Sequence, residues 1–169
     1  KDVLFNHTGD KLSISLNNPI SWKDTINVRI DYTANPKKGV YFVKPDDFYP
    51  EKPYQAWTQG EDTDNHHWVP LYDYPNERST FETILTVKKI YKAVSNGELL
   101  STTENDDGTH SWHWRENFPM VPYLISFVVG DYVKIEDKYN NTPVNYWVYK
   151  KNQKEANRSF GLTTDMMSF

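Results

Sequence analysis

The 169-residue sequence contains no cysteine. Without thiols there can be no disulfide framework, no thiolate metal site and no thiol nucleophile. Glycine is also scarce, with seven residues, and no glycine-rich loop of the kind that holds phosphates is present. The longest apolar run, Tyr123–Val129, is far shorter than the roughly 18 residues of a membrane span. We therefore predict neither a nucleotide loop nor a membrane span in this chain.

An excess of positive charge is missing as well, since the formal net charge is -4. A chain with this balance has no electrostatic footprint for nucleic acid. The sequence contains neither His-Glu-x-x-His nor Gly-x-Ser-x-Gly, so we predict no catalytic residue within it. Its length suits one domain of ordinary size.

Aromatic residues, in contrast, are abundant at 15%, with twelve tyrosines and six tryptophans. They favour a β-rich core, and less strongly a binding surface with aromatic platforms. Alternation of apolar and polar residues predicts half-buried strands, and a run that is apolar on both faces predicts a central strand. The alternating runs are Lys11–Leu16, Ile26–Thr33, Phe81–Lys88 and Val144–Tyr149, and the central strand is predicted at Val121–Val129.

Turn residues separate these runs. Ser95-Asn96-Gly97 and Asn105-Asp106-Asp107-Gly108 favour hairpins, whereas 36–39 and 140–143 are typical of loops. Near the end, 163–169 offers a capping threonine before an apolar run and predicts a helix. Because a single helical turn is unstable alone, and because the chain starts at Lys1 without an initiator Met, we expect the sequence to be part of a longer protein.

Four histidines could suggest a metal site, namely His66, His67, His110 and His113. On strands, residues one or three positions apart point to opposite faces, so neither pair is expected to converge. A zinc site needs three or four converging ligands. We therefore predict no metal site in this chain.

The segment Gln55-Ala-Trp-Thr-Gln59-Gly60-Glu61 combines two polar side chains with a glycine between them. Glycine permits a positive φ or a close backbone approach. A glutamine and a carboxylate can both hydrogen-bond a peptide, and the negative charge suits a free amine. Taken alone, the residues are better explained as a solvated turn.

Four segments in order carry a family resemblance: Gln55–Glu61, Trp68–Pro75, Ser95–Gly97 and Tyr123–Asp131. Together they resemble the N-terminal domain of the M1 family of zinc aminopeptidases, which includes aminopeptidase N. The resemblance implies an all-β fold, a saddle-shaped and mostly antiparallel β-sandwich, with a short helical start at the C-terminus. It places this β domain at 1–155, lacking its first strands, and the linker and start of an absent catalytic domain at 156–169.

In this family the downstream domain carries His-Glu-x-x-His and a further glutamate as zinc ligands. The resemblance thus implies zinc in the complete enzyme but no cofactor and no cleavage in this chain, whose partners are a peptide substrate and its own catalytic domain. By position, Glu61 would hold the substrate's α-amine and Gln59 would line the pocket for the first side chain. Gly60 stands where many relatives carry a bulkier residue. We expect Glu61→Ala to remove most activity of the full-length enzyme and Gln59→Ala to remove less.

Two other functions remain open on the sequence. One is a non-catalytic relative that serves as a scaffold, for which the parent would lack the zinc motif. The other is a carbohydrate-binding β-sandwich, suggested by Trp112 and Trp114 on one face of a strand. We expect these two tryptophans to be core or interface residues instead.

Overall fold

The computed structural model describes residues 3–169 and consists of 41% strand and 14% helix, which confirms the all-β prediction. Two short helices near the C-terminus are α1 (Ala156–Phe160) and α2 (Thr163–Ser168). Short 3-10 helices occupy Asn65–His67, Pro122–Leu124 and Lys150–Glu155. The strands within these residues are β1 (Phe5–Thr8), β2 (Lys11–Ile14), β3 (Val40–Val43), β4 (Gln55–Thr58), β5 (Ser79–Lys88), β6 (Lys92–Ser95), β7 (Glu98–Glu104), β8 (Thr109–Met120), β9 (Phe127–Gly130), β10 (Tyr132–Tyr139) and β11 (Thr142–Tyr149).

These strands pair antiparallel throughout. A four-stranded sheet has the order β3-β4-β9-β6, and a three-stranded sheet has the order β5-β8-β7. The hairpins β1-β2 and β10-β11 form two further sheets. The core is centred on Ala93, Trp112 and Trp114, and its partly buried neighbours come from β5, β6, β9 and β11. The core therefore lies where the two larger sheets and the β10-β11 hairpin meet.

The strand β5 shows why alternation is informative in this chain. Its odd-numbered positions from Phe81 to Val87 are half-buried, while Glu82, Ile84 and Thr86 are exposed. The buried side chains lie opposite the core tryptophans of β8, with Leu85 paired to Trp112. The strands predicted from alternation near 11–16 and 144–149 are likewise confirmed, as β2 and β11.

The strand predicted at Ile26–Thr33 is wrong. The segment forms no strand, and its apolar residues are exposed, for example Ile26 at 47% and Tyr32 at 52%. A strand is stabilised by hydrogen bonds to a neighbour, and none of the strands described within 3–169 pairs with this segment. The alternation of apolar and polar residues was therefore insufficient, by itself, to predict a strand in this segment.

The central strand predicted at Val121–Val129 is correct only in its second half. Pro122 lacks a backbone N–H and begins the 3-10 helix Pro122–Leu124, so β9 starts at Phe127. Its central position is confirmed, because β9 lies between β4 and β6. The proline thus converts the first half of the run into a turn.

Of the two predicted hairpins, the one at 105–108 is confirmed and joins β7 to β8. The one at Ser95-Asn96-Gly97 is wrong, because β6 pairs with β9 whereas β7 pairs with β8. Gly97 has a φ of 81°, and a β-carbon there would collide with the Arg115 carbonyl. The Asn-Gly turn therefore transfers the chain from one sheet to the other.

The predicted C-terminal helix is confirmed as α2, but its cap is not. Thr163 lies inside the helix, and its hydroxyl donates to the Phe160 carbonyl oxygen at 2.7 Å. Helical structure starts earlier than expected, since α1 buries Ala156 and stacks Phe160 on Tyr146 of β11 with ring centroids 5.1 Å apart. None of the helices described in 3–169 has the length and apolar character needed to cross a bilayer.

Candidate functional site

The segment Gln59-Gly60-Glu61, which we call the recognition loop, leaves the sheet at the end of β4. The β3-β4 ladder ends at the pair Val40 and Thr58, and the Gln59 amide then donates to the Gly39 carbonyl oxygen at 2.9 Å. Gln59 and Glu61 are exposed, whereas Gly60 between them is buried. The loop thus presents two polar side chains on either side of an inward-packed glycine.

Packing against the rest of the chain explains the glycine. A β-carbon at position 60 would lie 2.5 Å from the Tyr123 carbonyl oxygen and 2.6 Å from the Asn65 amide nitrogen. Both distances are shorter than any normal contact of a β-carbon. Position 60 therefore requires glycine because of this close approach to the 3-10 helix Pro122–Leu124.

Asn65 joins the recognition loop to that helix. Its amide nitrogen donates to the carbonyl oxygens of Pro122 at 2.7 Å and Ile125 at 2.9 Å. Its side-chain oxygen accepts a hydrogen bond from the indole of Trp68 at 2.9 Å. The residue is 0% exposed. No sequence pattern singled out Asn65, because a buried asparagine and an exposed turn asparagine look alike in sequence.

Backbone hydrogen bonds close the remainder of the loop. The Asp64 amide donates to the Gly60 carbonyl oxygen at 2.8 Å, and the amides of Trp68 and Val69 both donate to the Asn65 carbonyl oxygen at 3.1 Å. Gly39 has a φ of 78°, and a β-carbon at this position would lie 2.9 Å from the Trp68 ring. The loop is therefore held by main-chain bonds on both sides of Glu61.

The carboxylates around this loop differ in their partners. Asp64 lies 3.7 Å from the Lys38 ammonium and 3.6 Å from His67. Asp73, almost fully buried, accepts a hydrogen bond from the His66 backbone amide at 2.8 Å and lies 3.3 Å from the His66 ring. Glu61 forms no ion pair with any residue in the described part of the chain. Its carboxylate is therefore available to an external cation.

The expected divergence of His66 and His67 is wrong. They lie on a 3-10 helix and not on a strand, and their ring centroids are 4.1 Å apart. The divergence expected of His110 and His113 holds on β8, where His110 lies 3.7 Å from Glu104 and His113 lies 2.5 Å from Glu82. Across residues 3–169, no group of three or more His, Cys, Asp or Glu side chains is arranged to hold a metal ion.

The tryptophans that suggested a carbohydrate platform are core residues. Trp112 is 7% exposed and Trp114 is 9% exposed. Trp112 packs edge-on against Trp147, and the Trp114 indole donates to the Ala93 carbonyl oxygen at 3.1 Å. The pair therefore offers no exposed face on which a sugar ring could stack.

Comparison with known proteins decides the family. The sequence model described as the Peptidase M1 N-terminal domain matches residues 1–124. The chain belongs to this family. The resemblance expected from the four sequence motifs is thereby confirmed, and so is the association with aminopeptidases. The M1 family is zinc-dependent in general, but the described residues do not fit that metal, because they provide no cluster of ligands.

Relatives of this M1 domain include several enzymes named as aminopeptidases. Aminopeptidase B of Mus musculus is 24% identical over 132 residues, which cover 78% of this chain and 20% of that protein. Glutamyl aminopeptidase of Mus musculus is 33% identical over 102 residues, covering 60% of this chain and 11% of that protein. Aminopeptidase 2, mitochondrial, of Saccharomyces cerevisiae is 27% identical over 132 residues, covering 78% and 14%. The chain thus spans a fifth or less of the length of these relatives.

Proposed function

We propose that this chain is the substrate-recognition domain of a zinc-dependent aminopeptidase that removes N-terminal residues from peptides. Its membership of the Peptidase M1 N-terminal family supports this function, as do the printed names of its relatives. In this proposal residues 1–155 recognise the substrate and 156–169 lead into a downstream catalytic domain. That domain holds the zinc and cleaves the peptide bond, and the present chain alone is inactive.

Glu61 recognises the free amino terminus of the substrate. An exopeptidase cleaves at a fixed distance from that terminus and must therefore bind it. A carboxylate can bind the terminal ammonium group through charge-assisted hydrogen bonds. The observation that carries this assignment is the exposed Glu61 carboxylate, which has no ion-pair partner among the described residues and stands on a loop fixed at both ends.

Gln59 lines the pocket for the first side chain of the substrate. It is exposed directly after the end of β4, and its backbone is fixed by the bond to Gly39. A neutral amide can donate and accept hydrogen bonds but supplies no charge. Its loss should therefore weaken the binding of substrate less than the loss of Glu61.

The test is steady-state kinetics of the full-length enzyme on a dipeptide amide. Glu61→Gln keeps the shape of the side chain and removes its charge. Loss of a charged partner in a desolvated site costs about 2–5 kcal/mol, so kcat/KM should fall by roughly 30- to 5,000-fold. Asp62→Asn is the matched control, because it removes the exposed carboxylate directly after the recognition loop. Its kcat/KM should stay within about threefold of the wild-type value.

A second test modifies the substrate instead of the enzyme. The same peptide with an acetylated amine should be a very poor substrate of the wild type, and Glu61→Gln should reduce its turnover little further. Near-normal kcat/KM of Glu61→Gln on the free-amine peptide would refute the proposal, and so would a parent sequence without a downstream His-Glu-x-x-His.

A further inference from the structure

We infer that Asn65 is a positioning residue that sets the location of Glu61, and through it the enzyme's demand for a free amine. The inference rests on the function proposed for Glu61. It concerns a residue whose side chain is buried and does not reach the substrate. Asn65 acts on the recognition loop through its contact with Gly60.

The burial of Asn65 is itself informative. Within residues 3–169 it is the largest side chain that is fully buried, although it is polar. Burial of an amide without partners costs a few kcal/mol, so a polar side chain at such a position needs its hydrogen bonds. Both N–H groups of Asn65 are used, on Pro122 and Ile125, and its oxygen is used by Trp68.

These bonds fix the amide in one orientation. If the amide were rotated by half a turn, its oxygen would face two carbonyl oxygens and its nitrogen would face the indole N–H of Trp68. Neither arrangement allows a hydrogen bond. The side chain therefore has one position, defined by backbone groups 57 and 60 residues further along the chain.

Gly60 transmits that position to the loop. Its would-be β-carbon lies 2.6 Å from both Cγ and Nδ2 of Asn65, so the Gly60 backbone rests directly on the amide. Gly60 is bonded covalently to both Gln59 and Glu61. A shift or charge change at Asn65 must therefore move the two exposed side chains relative to the sheet.

Loop folding itself does not depend on this side chain alone. The bonds from Gln59 to Gly39 and from Asp64 to Gly60 are between backbone groups and do not involve the Asn65 side chain. Replacement of Asn65 should consequently leave the loop formed but displaced. This separates a positioning role from a purely structural one.

The experiment is a double-mutant cycle in the full-length enzyme with Asn65→Asp and Glu61→Gln. Asn65→Asp has nearly the same shape but places a carboxylate oxygen against two carbonyl oxygens. We expect kcat/KM on a free-amine dipeptide amide to fall at least tenfold in the wild-type background and less than twofold in the Glu61→Gln background. Asn96→Ala is the control, because it removes hydrogen bonds to Ser126 on the neighbouring turn without touching Gly60. It should act equally in both backgrounds.

Equal losses from Asn65→Asp in both backgrounds would overturn the inference, because a structural defect does not depend on Glu61. If Glu61→Gln itself were fully active, the proposed function would fail instead, which is a distinct result. Should Asn65→Asp not fold, Gly60→Ala can be used instead, because it changes the contact between Gly60 and Asn65 from the side of the loop. A folded Gly60→Ala enzyme with wild-type kcat/KM would also overturn the inference. A loss of kcat/KM that occurs when Glu61 is present and is absent in the Glu61→Gln background would support it.

Discussion

Thr58 and Phe127 exchange two hydrogen bonds through a single hydroxyl group. The Phe127 amide donates to Thr58 Oγ1 at 2.9 Å, and Thr58 Oγ1 donates to the Phe127 carbonyl oxygen at 3.2 Å. The β4-β9 ladder ends one position earlier, at the pair Trp57 and Val128. The threonine side chain therefore continues the ladder at the point where the backbone of β4 turns into the recognition loop.

Replacement of this hydroxyl should destabilise the sheet at its junction with the loop. Thr58→Val keeps the shape but leaves the half-buried N–H and carbonyl of Phe127 without this partner, at a cost of about 1–3 kcal/mol. The midpoint of urea unfolding measures the change. Thr86→Val is the control, since Thr86 bonds Ser111 on an exposed face at 2.8 Å and should cost less than about 0.5 kcal/mol. Equal costs would show that Thr58 plays no special part.

Replacement by asparagine should be tolerated at Gly108 and should destabilise the protein at Gly60. Gly108 has a φ of 81° and open space around its would-be β-carbon, and asparagine tolerates this backbone conformation. Gly108→Asn should therefore change the free energy of unfolding by less than about 1 kcal/mol. Gly60 is limited by contact with Asn65 and Tyr123, so Gly60→Ala should cost about 1–3 kcal/mol and Gly60→Asn more. A tolerated Gly60→Asn would contradict the close packing.

The two core tryptophans provide another matched pair. Trp114 donates to the Ala93 carbonyl oxygen, whereas the buried indole nitrogen of Trp112 has no hydrogen-bond partner among residues 3–169. Replacement by phenylalanine removes the same volume from each. Trp114→Phe should therefore cost about 1 kcal/mol more than Trp112→Phe, because it alone breaks a hydrogen bond. Thermal unfolding of both variants measures this, and a larger cost for Trp112→Phe would contradict it.

Sequence patterns predicted this fold best where one face of a strand is buried and the other is exposed. In β5, the side chains of Leu85 and Val87 pack against the core, and alternation was sufficient to predict the strand. At 26–33 the same pattern failed, because strand formation depends on a partner that the pattern does not describe. The hairpin prediction at Ser95–Gly97 was wrong for a related reason, because local turn residues do not determine which sheet the next strand joins.

The site was predictable to a different extent. Motif order pointed to the loop 59–61 and to its family, because the motifs that carry the resemblance are short runs that can be read directly from the sequence. The burial of Asn65 was not predictable, because its amide bonds to carbonyl groups of Pro122 and Ile125 that are distant in sequence. The need for glycine at position 60 follows from the same contacts. Long-range packing was thus the missing information.

Stability of the three-stranded sheet should depend on the ionisation of Glu82. Hydrogen bonds from His113 at 2.5 Å and Arg115 at 2.9 Å hold the pKa of Glu82 below its ordinary value of 4.5. A carboxyl whose pKa is lowered by folding contributes stability that is fully present above its ordinary pKa and is lost as the pH falls through the lowered value.

Glu82→Gln should therefore lower the urea midpoint at neutral pH, and its difference from the wild type should shrink as the pH falls below about 4.5. Arg115→Gln should retain part of the pH dependence, because it removes one of the two donors and leaves His113 in place. Unfolding curves collected between about pH 7 and pH 3 for the three proteins measure both effects. Parallel loss of stability in the wild type and Glu82→Gln over this range would mean that the cluster of Glu82, His113 and Arg115 does not favour the ionised carboxylate.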